Sequence, residues 1–174
     1  LQGGLDIAIQ NADVFVGVSA PDILSEEMVK TMNRDAIVFA MANPTPEIMP
    51  DKAKNAGARV VGTGRSDFPN QINNVIGFPY IFRGALDVAA TAINEEMKLA
   101  AVKAIADLAK QPVPEIVNKV YKVRNLSFGR DYFIPKPVDP RLLVEVSTAV
   151  AKAAIESGVA RKTITDWEKY KEHL

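Results

Sequence analysis

Apolar positions along this chain fall into two regimes. In the first third they gather in three short runs, "DVFVGV" at 13–18, "AIVFAMA" at 36–42 and "ARVVGT" at 58–63. Each run is continuous rather than alternating, which predicts strands of a parallel sheet covered on both faces. The segments between them read as helices. In "SEEMVKTM", Ser25 is placed to cap, Glu26 and Glu27 put negative charge in the first turn, and Met28, Val29 and Met32 share a face. "MPDKAKNAG" carries Pro50 near its start and Gly57 where a left-handed terminal residue belongs. Strand, helix, strand, helix, strand predicts right-handed βαβ crossovers over residues 1–72.

After residue 72 the spacing becomes helical. Residues 73–90 are mostly apolar and predict a buried helix. "NEEMKLAAVKAIADLAK" starts with Asn94 as a cap and sets Met97, Ala101, Ala104 or Ile105, and Leu108 on one side of an amphipathic helix. Pro112 and Pro114 end it, 115–123 predict another short helix, and "FGRDYFIPKPVDP" at 128–140 is irregular. Asp139-Pro140 then opens a long helix to about 157, with Leu143, Val146, Val150 and Ala153 on one stripe and Gly158 closing it. Residues 73–160 thus form a helical part, and 161–174 read as a short polar helix or a linker. The expected fold class is α/β: about three parallel strands followed by several packed helices.

Composition narrows the functional classes. A chain of 174 residues is one domain's worth and long enough to bury a core. Lys plus Arg and Asp plus Glu both number 21, so no net field draws the chain to nucleic acid or to an anionic membrane. The absence of cysteine excludes disulfides, thiolate metal sites and a cysteine nucleophile, and fits a cytoplasmic location. No apolar run approaches the roughly 18 residues of a membrane span. The sole histidine, His173, stands next to the last residue and reads as solvated. The opening "LQGGLDIAIQNADVFVGVSA" lies inside a running α/β pattern without a starting Met, which predicts a fragment.

The chemistry is expected where the strands end, because ligands of open parallel sheets bind outside the carboxyl ends. The three exits are Gly17-Val18-Ser19-Ala20-Pro21, Asn43-Pro44-Thr45 and Thr63-Gly64-Arg65-Ser66-Asp67. Pro44 biases Asn43 towards an extended backbone. The Asn43 carboxamide donates and accepts hydrogen bonds, so it serves either a ligand or a turn with its own neighbours. "PNQINNVIGFP" adds Asn70, Gln71, Asn73 and Asn74 before an apolar helix. Amides at a helix start, beside free N–H groups, make a carboxylate site, with simple capping as the alternative. Two amide clusters at neighbouring exits predict a small anionic ligand. "GTGRSD" is rejected as a dinucleotide fingerprint, since Asp67 occupies the third glycine's position. Asp6, Asp13, Asp67 and Asp87 lack metal-ligand spacing, and Arg83 is set to pair with Asp87 four residues on. No Ser/His/Asp or Cys/His arrangement can be assembled.

The segments "ANPTPEI", "TGRSDFPNQINNVIGFPYIFRGALDVAATAINEEMKLAAVKAIADLA" and "FIPKPVDPRLLVEVSTAVAKAAIESGVA" resemble the C-terminal part of bacterial malic enzymes. The resemblance runs through essentially the whole chain and implies the C-terminal half of a Rossmann-like NAD(P)-binding domain. It implies oxidative decarboxylation of (S)-malate to pyruvate and CO2, with NAD or NADP and a divalent metal, Mg or Mn. By the same resemblance Asn43, Asn73 and Asn74 are substrate-binding, Val18, Ser19 and Ala20 pass the nicotinamide cofactor, and Asn43 and Asn74 also reach it. The family's proton-transfer pair, metal ligands and G-x-G-x-x-G loop precede the matched region, so no catalytic or metal-binding residue is expected here. The fragment alone is then inactive, completed by a missing N-terminal part and assembled as a homo-oligomer. Tyr80, after Phe-Pro, stands where many relatives have glycine and is similar to the larger hybrid forms that continue into a phosphotransacetylase-like domain. Two other readings stay open: a non-catalytic nucleotide-binding or assembly module, and another Rossmann dehydrogenase such as an amino-acid dehydrogenase.

Overall fold

The three apolar runs form strands β1 (Val14–Gly17), β2 (Ile37–Ala40) and β3 (Val60–Thr63) in a computed structural model that describes residues 3–174. The strands are parallel in the order β1-β2-β3, with Val14 level with Ile37 and Ile37 with Val60. Their last residues, Gly17, Ala40 and Thr63, are therefore in line. Between them lie α2 (Glu26–Lys30) and α3 (Pro50–Asn55), after a short α1 (Leu5–Ala8) that the apolar pattern did not announce. The local signals act as read: Ser25 Oγ accepts from the Met28 N–H at 3.2 Å, Pro50 opens α3, and Gly57 follows it at φ +108°.

Leu24, Val29, Val38, Ile48, Ala53 and Val61 are buried together in the core of this first unit, which comprises 1–73 and the short stretch 129–132. Sheet coverage differs from expectation at β1. Phe15 is buried, but Val14, Val16 and Val18 face solvent, Val16 at 59% and Val18 at 78% exposure. In the central strand β2 the residues level with Val14 and Val16, Ile37 and Phe39, are also only half-buried. One face of the sheet is therefore less covered than the other among the described residues, and a continuous apolar run is not itself evidence of two buried faces.

The second unit, 74–128 with 133–174, is helical. A 3-10 turn (Asn74–Ile76) leads into α4 (Phe78–Asp87), α5 (Glu95–Lys110), α6 (Glu115–Val120), α7 (Arg141–Glu156) and α8 (Trp167–His173). Asn94 caps α5 through the Met97 N–H at 3.1 Å, and Met97, Ala101 and Leu108 are buried with Leu142, Val146 and Val150 of α7. It is Leu142, not Leu143, that completes the α7 stripe with Val146 and Val150 at successive four-residue steps. Asp139, 1% exposed, accepts the Arg141 backbone N–H at 3.1 Å and holds its guanidinium at 2.7 Å, which fixes where α7 starts.

The helix expected over 73–90 is shorter and less buried. Gly77 occupies its cap position without a side-chain cap, and Phe78, Phe82 and Leu86 are exposed, Leu86 at 72%. Its buried face is made by Gly84 and Ala85 instead. A Cβ on Gly84 would lie 2.4 Å from the Ser147 carbonyl oxygen, so α4 and α7 meet backbone to backbone and the large residues are left outside. Arg83 pairs with Asp87 at 2.8 Å as read, and Tyr170 of α8 donates its hydroxyl to the same carboxylate at 2.7 Å. Residues 167–173 are thus a helix, capped by Asp166 and fastened by Tyr170, with His173 exposed at its end.

Candidate functional site

Because Gly17, Ala40 and Thr63 are level, the three strand exits begin at one edge of the sheet. From β1 the chain continues through Val18, Ser19 and Ala20, all exposed. From β2 it passes Met41 and Ala42 to Asn43, whose bond to Pro44 is cis. From β3 it enters Gly64 and then Arg65 to Asp67.

One residue that the motif reading passed over ties the first two exits together. Glu47 is 0% exposed, and its Oε1 accepts the Ser19 N–H at 2.8 Å and the Ser19 hydroxyl at 3.1 Å. Its Oε2 accepts the Ala42 N–H at 3.1 Å. Burial by itself would raise this carboxyl, but the N–H groups of Ser19 and Ala42 and the Ser19 hydroxyl outweigh it and hold Glu47 below the ordinary carboxylate value. Gly17 makes the room: a Cβ there would sit 2.5 Å from the Glu47 carboxyl carbon. In the structure the acid stands between buried Pro46 and Ile48, opposite a glycine at the end of the neighbouring strand exit.

Asn43 is exposed, and its amide has no hydrogen-bond partner among the described residues. It lies beside Gly64, where a Cβ would come within 3.4 Å of the amide nitrogen and 3.3 Å of the Met41 carbonyl oxygen. The third exit is braced by Arg65, which grips Asp67 through Nε at 2.9 Å and Nη2 at 2.7 Å and donates from Nη1 to the Pro44 carbonyl at 3.3 Å. Hydrogen bonding to Arg65 holds Asp67 below the usual carboxylate range.

The "PNQINN" asparagines divide by role. Asn70 is 1% exposed at φ +57°, and its amide donates to the carbonyls of Val61 at 3.1 Å and Arg130 at 2.7 Å. It is part of the scaffold. Its own carbonyl accepts from Thr63 at 3.2 Å and the Thr63 carbonyl accepts from Ile72 at 2.8 Å, so the chain runs beside the end of β3 up to Asn73. Asn74 begins the second unit and the 3-10 turn, exposed, with its carbonyl accepting from the Gly77 N–H at 3.1 Å. Asn73 and Asn74 stand at the start of the 3-10 turn rather than at the start of α4, whose cap position is taken by Gly77. The structure therefore joins Val18–Ala20 to the Asn43 exit through Glu47, brings Asn73 past the end of β3, and places Asn74 at the head of the helical unit.

At these exits Val18 offers an exposed apolar side chain and Asn43 an exposed amide that can both donate and accept. No three His, Cys, Asp or Glu side chains gather into a metal site among the described residues. No helix among them is long and apolar enough to cross a membrane.

Comparison with known proteins gives a concordant result. Residues 5–130 match the family model described as malic enzyme, NAD binding domain. The chain is 57% identical over 171 residues to an NADP-dependent malic enzyme of Escherichia coli, covering 98% of this chain and 22% of that protein. It is 58% identical over 156 residues to an NADP-dependent malic enzyme of Halomonas elongata, covering 89% of this chain and 37% of that protein. Among solved structures, malic enzyme from Pyrococcus horikoshii superposes with a TM-score of 0.81 at 43% identity, over 99% of this chain and 36% of that one. The Entamoeba histolytica malic enzyme gives 0.82 at 38% identity, over 99% and 33%. The chain spans about a fifth to two fifths of the length of these relatives. It belongs to the malic enzyme family, within the NAD-binding domain of that family.

Proposed function

We propose that this chain forms the nicotinamide- and substrate-facing part of a malic enzyme, which oxidises (S)-malate and releases pyruvate and CO2 while NAD or NADP is reduced. The observation that carries the reading is the uncommitted Asn43 amide, held at an edge where three parallel strands end level. When bound, the nicotinamide ring takes the hydride that leaves C2 of malate. The chain's own residues bind and orient. Val18 to Ala20 pass the ring, Asn43 contacts substrate and carboxamide, and Asn73 and Asn74 extend the amide set towards the substrate carboxylates.

Three further elements rest on family likeness. The proton-transfer pair and the ligands of a divalent metal, Mg or Mn, belong to other parts of the complete protein, so this segment alone does not turn over malate. The complete protein works as a homo-oligomer in the cytoplasm. Curated relatives named as NADP-dependent and as NAD-dependent both match, the latter from Rhizobium meliloti at 51% identity, so both nucleotides belong in the assay.

The test uses the complete protein that contains this segment, with malate, NAD+ or NADP+, and Mg2+ or Mn2+. Reduced nucleotide and pyruvate should appear in equal amounts, and the segment alone should give neither. Reduced nucleotide formed from an amino acid but not from malate would replace this reading with the dehydrogenase alternative. Nucleotide binding without any turnover would replace it with the non-catalytic module.

A further inference from the structure

We propose that Glu47 is a positioning residue for nicotinamide binding: its buried carboxylate sets the β1 exit and the β2 exit in the arrangement that receives the ring. The proposal rests on the functional reading above and deepens it.

Position and geometry carry the argument. Glu47 belongs to neither exit by sequence: it lies 28 residues from Ser19 and five from Ala42, yet it accepts from both backbones and from the Ser19 hydroxyl. Its two oxygens are divided between the exits, Oε1 to Ser19 and Oε2 to Ala42, so one rigid, planar group fixes the spacing of two loops. The carboxylate is in turn held by its own backbone. The Leu24 N–H donates to the Glu47 carbonyl at 3.0 Å, and the Asp22 N–H donates to the Pro46 carbonyl at 3.1 Å. Gly17 leaves a gap that the carboxylate fills.

Orientation follows from peptide planarity. With the Ser19 N–H turned to Glu47, the Val18 carbonyl of the same trans peptide points the opposite way. With the Ala42 N–H turned to Glu47, the Met41 carbonyl does likewise, and it faces Gly64. Glu47 thus orients two peptide groups as well as spacing two loops. Asn43 is the next residue after Ala42, so the same anchor fixes the backbone from which its side chain leaves. A buried carboxylate that only filled a gap would be expensive to retain. Here every bond it makes lies on a segment assigned to ligand contact or one residue before it.

The experiment compares wild-type complete protein with Glu47→Gln. The amide keeps the size but offers an NH2 where one of the two exits offers an N–H, so one tether is lost. The expected result is a protein of unchanged oligomeric state whose KM for the nicotinamide nucleotide rises at least fivefold, with a smaller change in KM for the divalent cation. A kcat that falls in proportion to the folded fraction, with nucleotide KM unchanged, would show a structural role only and overturn the proposal. Amide hydrogen exchange on wild type stands independently of whether the variant folds. The Ser19 and Ala42 amides should be protected before NADP+ is added and little changed after it. Free exchange that becomes slow only on adding NADP+ would show that the nucleotide, not Glu47, orders the exits. Failure of the malic enzyme reading is separable, because it shows as absent malate turnover in wild type while the nucleotide-binding comparison can still be made by fluorescence of the reduced cofactor.

Discussion

Asn43 and Asn70 carry the same side chain at neighbouring strand exits and do opposite work. Asn70 is buried, adopts φ +57° and gives both amide hydrogens' worth of bonding to backbone carbonyls. Removing it deletes both bonds and puts an ordinary side chain in a left-handed conformation. Asn70→Ala should therefore cost this chain about 2–4 kcal/mol, read from urea unfolding. Asn43 is exposed and bonded to nothing among the described residues. Asn43→Ala should leave unfolding within about 0.5 kcal/mol of wild type, while malate turnover by the complete protein falls on the order of a hundredfold. The sequence showed that amides cluster at these exits but not which are spent on the scaffold, because that depends on a carbonyl 60 residues away at Arg130. Glu47 was illegible for the same reason: its partner Ser19 lies on another strand exit. Its depressed pKa gives a pH signature. A carboxyl held below its unfolded value adds stability at pH above about 4 that is lost as pH falls through the folded value. Between pH 7 and pH 3, wild type should lose more unfolding free energy than Glu47→Gln, which has no proton to take up there.

Elements were legible where their signals are local. Ser25 and Asn94 cap, Gly57 and Gly158 take positive φ after their helices, and each lies within a few residues of the structure it controls. Burial was not local. The apolar stretch after residue 72 and the run at β1 both contain exposed large side chains, because what covers a face is decided by another element. In α4 the deciding residue is the smallest one. Gly84→Ala ordinarily stabilises a helix by about 1 kcal/mol, but here the new methyl would meet the Ser147 carbonyl at 2.4 Å and the Ala151 nitrogen at 3.1 Å. Backbone cannot step aside as a flexible side chain does. The net outcome should be a loss of about 1–3 kcal/mol in unfolding free energy, with α4 and α7 forced apart. A Gly84→Ala chain as stable as wild type would mean that the two helices are not packed through their backbones.

At the scale of the whole chain, the exposed large apolar side chains among the described residues include two rows of three. One is the outward row of β1, Val14, Val16 and Val18, on a strand that pairs along only one edge among the described residues. The other is the row of Phe78, Phe82 and Leu86 on α4, where the two rings lie 4.8 Å apart. An unpaired edge beside exposed valines is a template for strand addition, and a formal net charge of zero supplies no repulsion to oppose it. This chain on its own should therefore self-associate as concentration rises. The two surfaces can be separated by substitution. Val16→Lys puts a charge in the middle of the β1 row, where the native side chain is already 59% exposed, so it should reduce the weight-average mass seen by light scattering while leaving the unfolding temperature nearly unchanged. Adding Phe82→Glu should remove the association that remains. If Val16→Lys has no effect and Phe82→Glu alone gives a monomer, the helical row is the adhesive surface and the open edge of β1 is not.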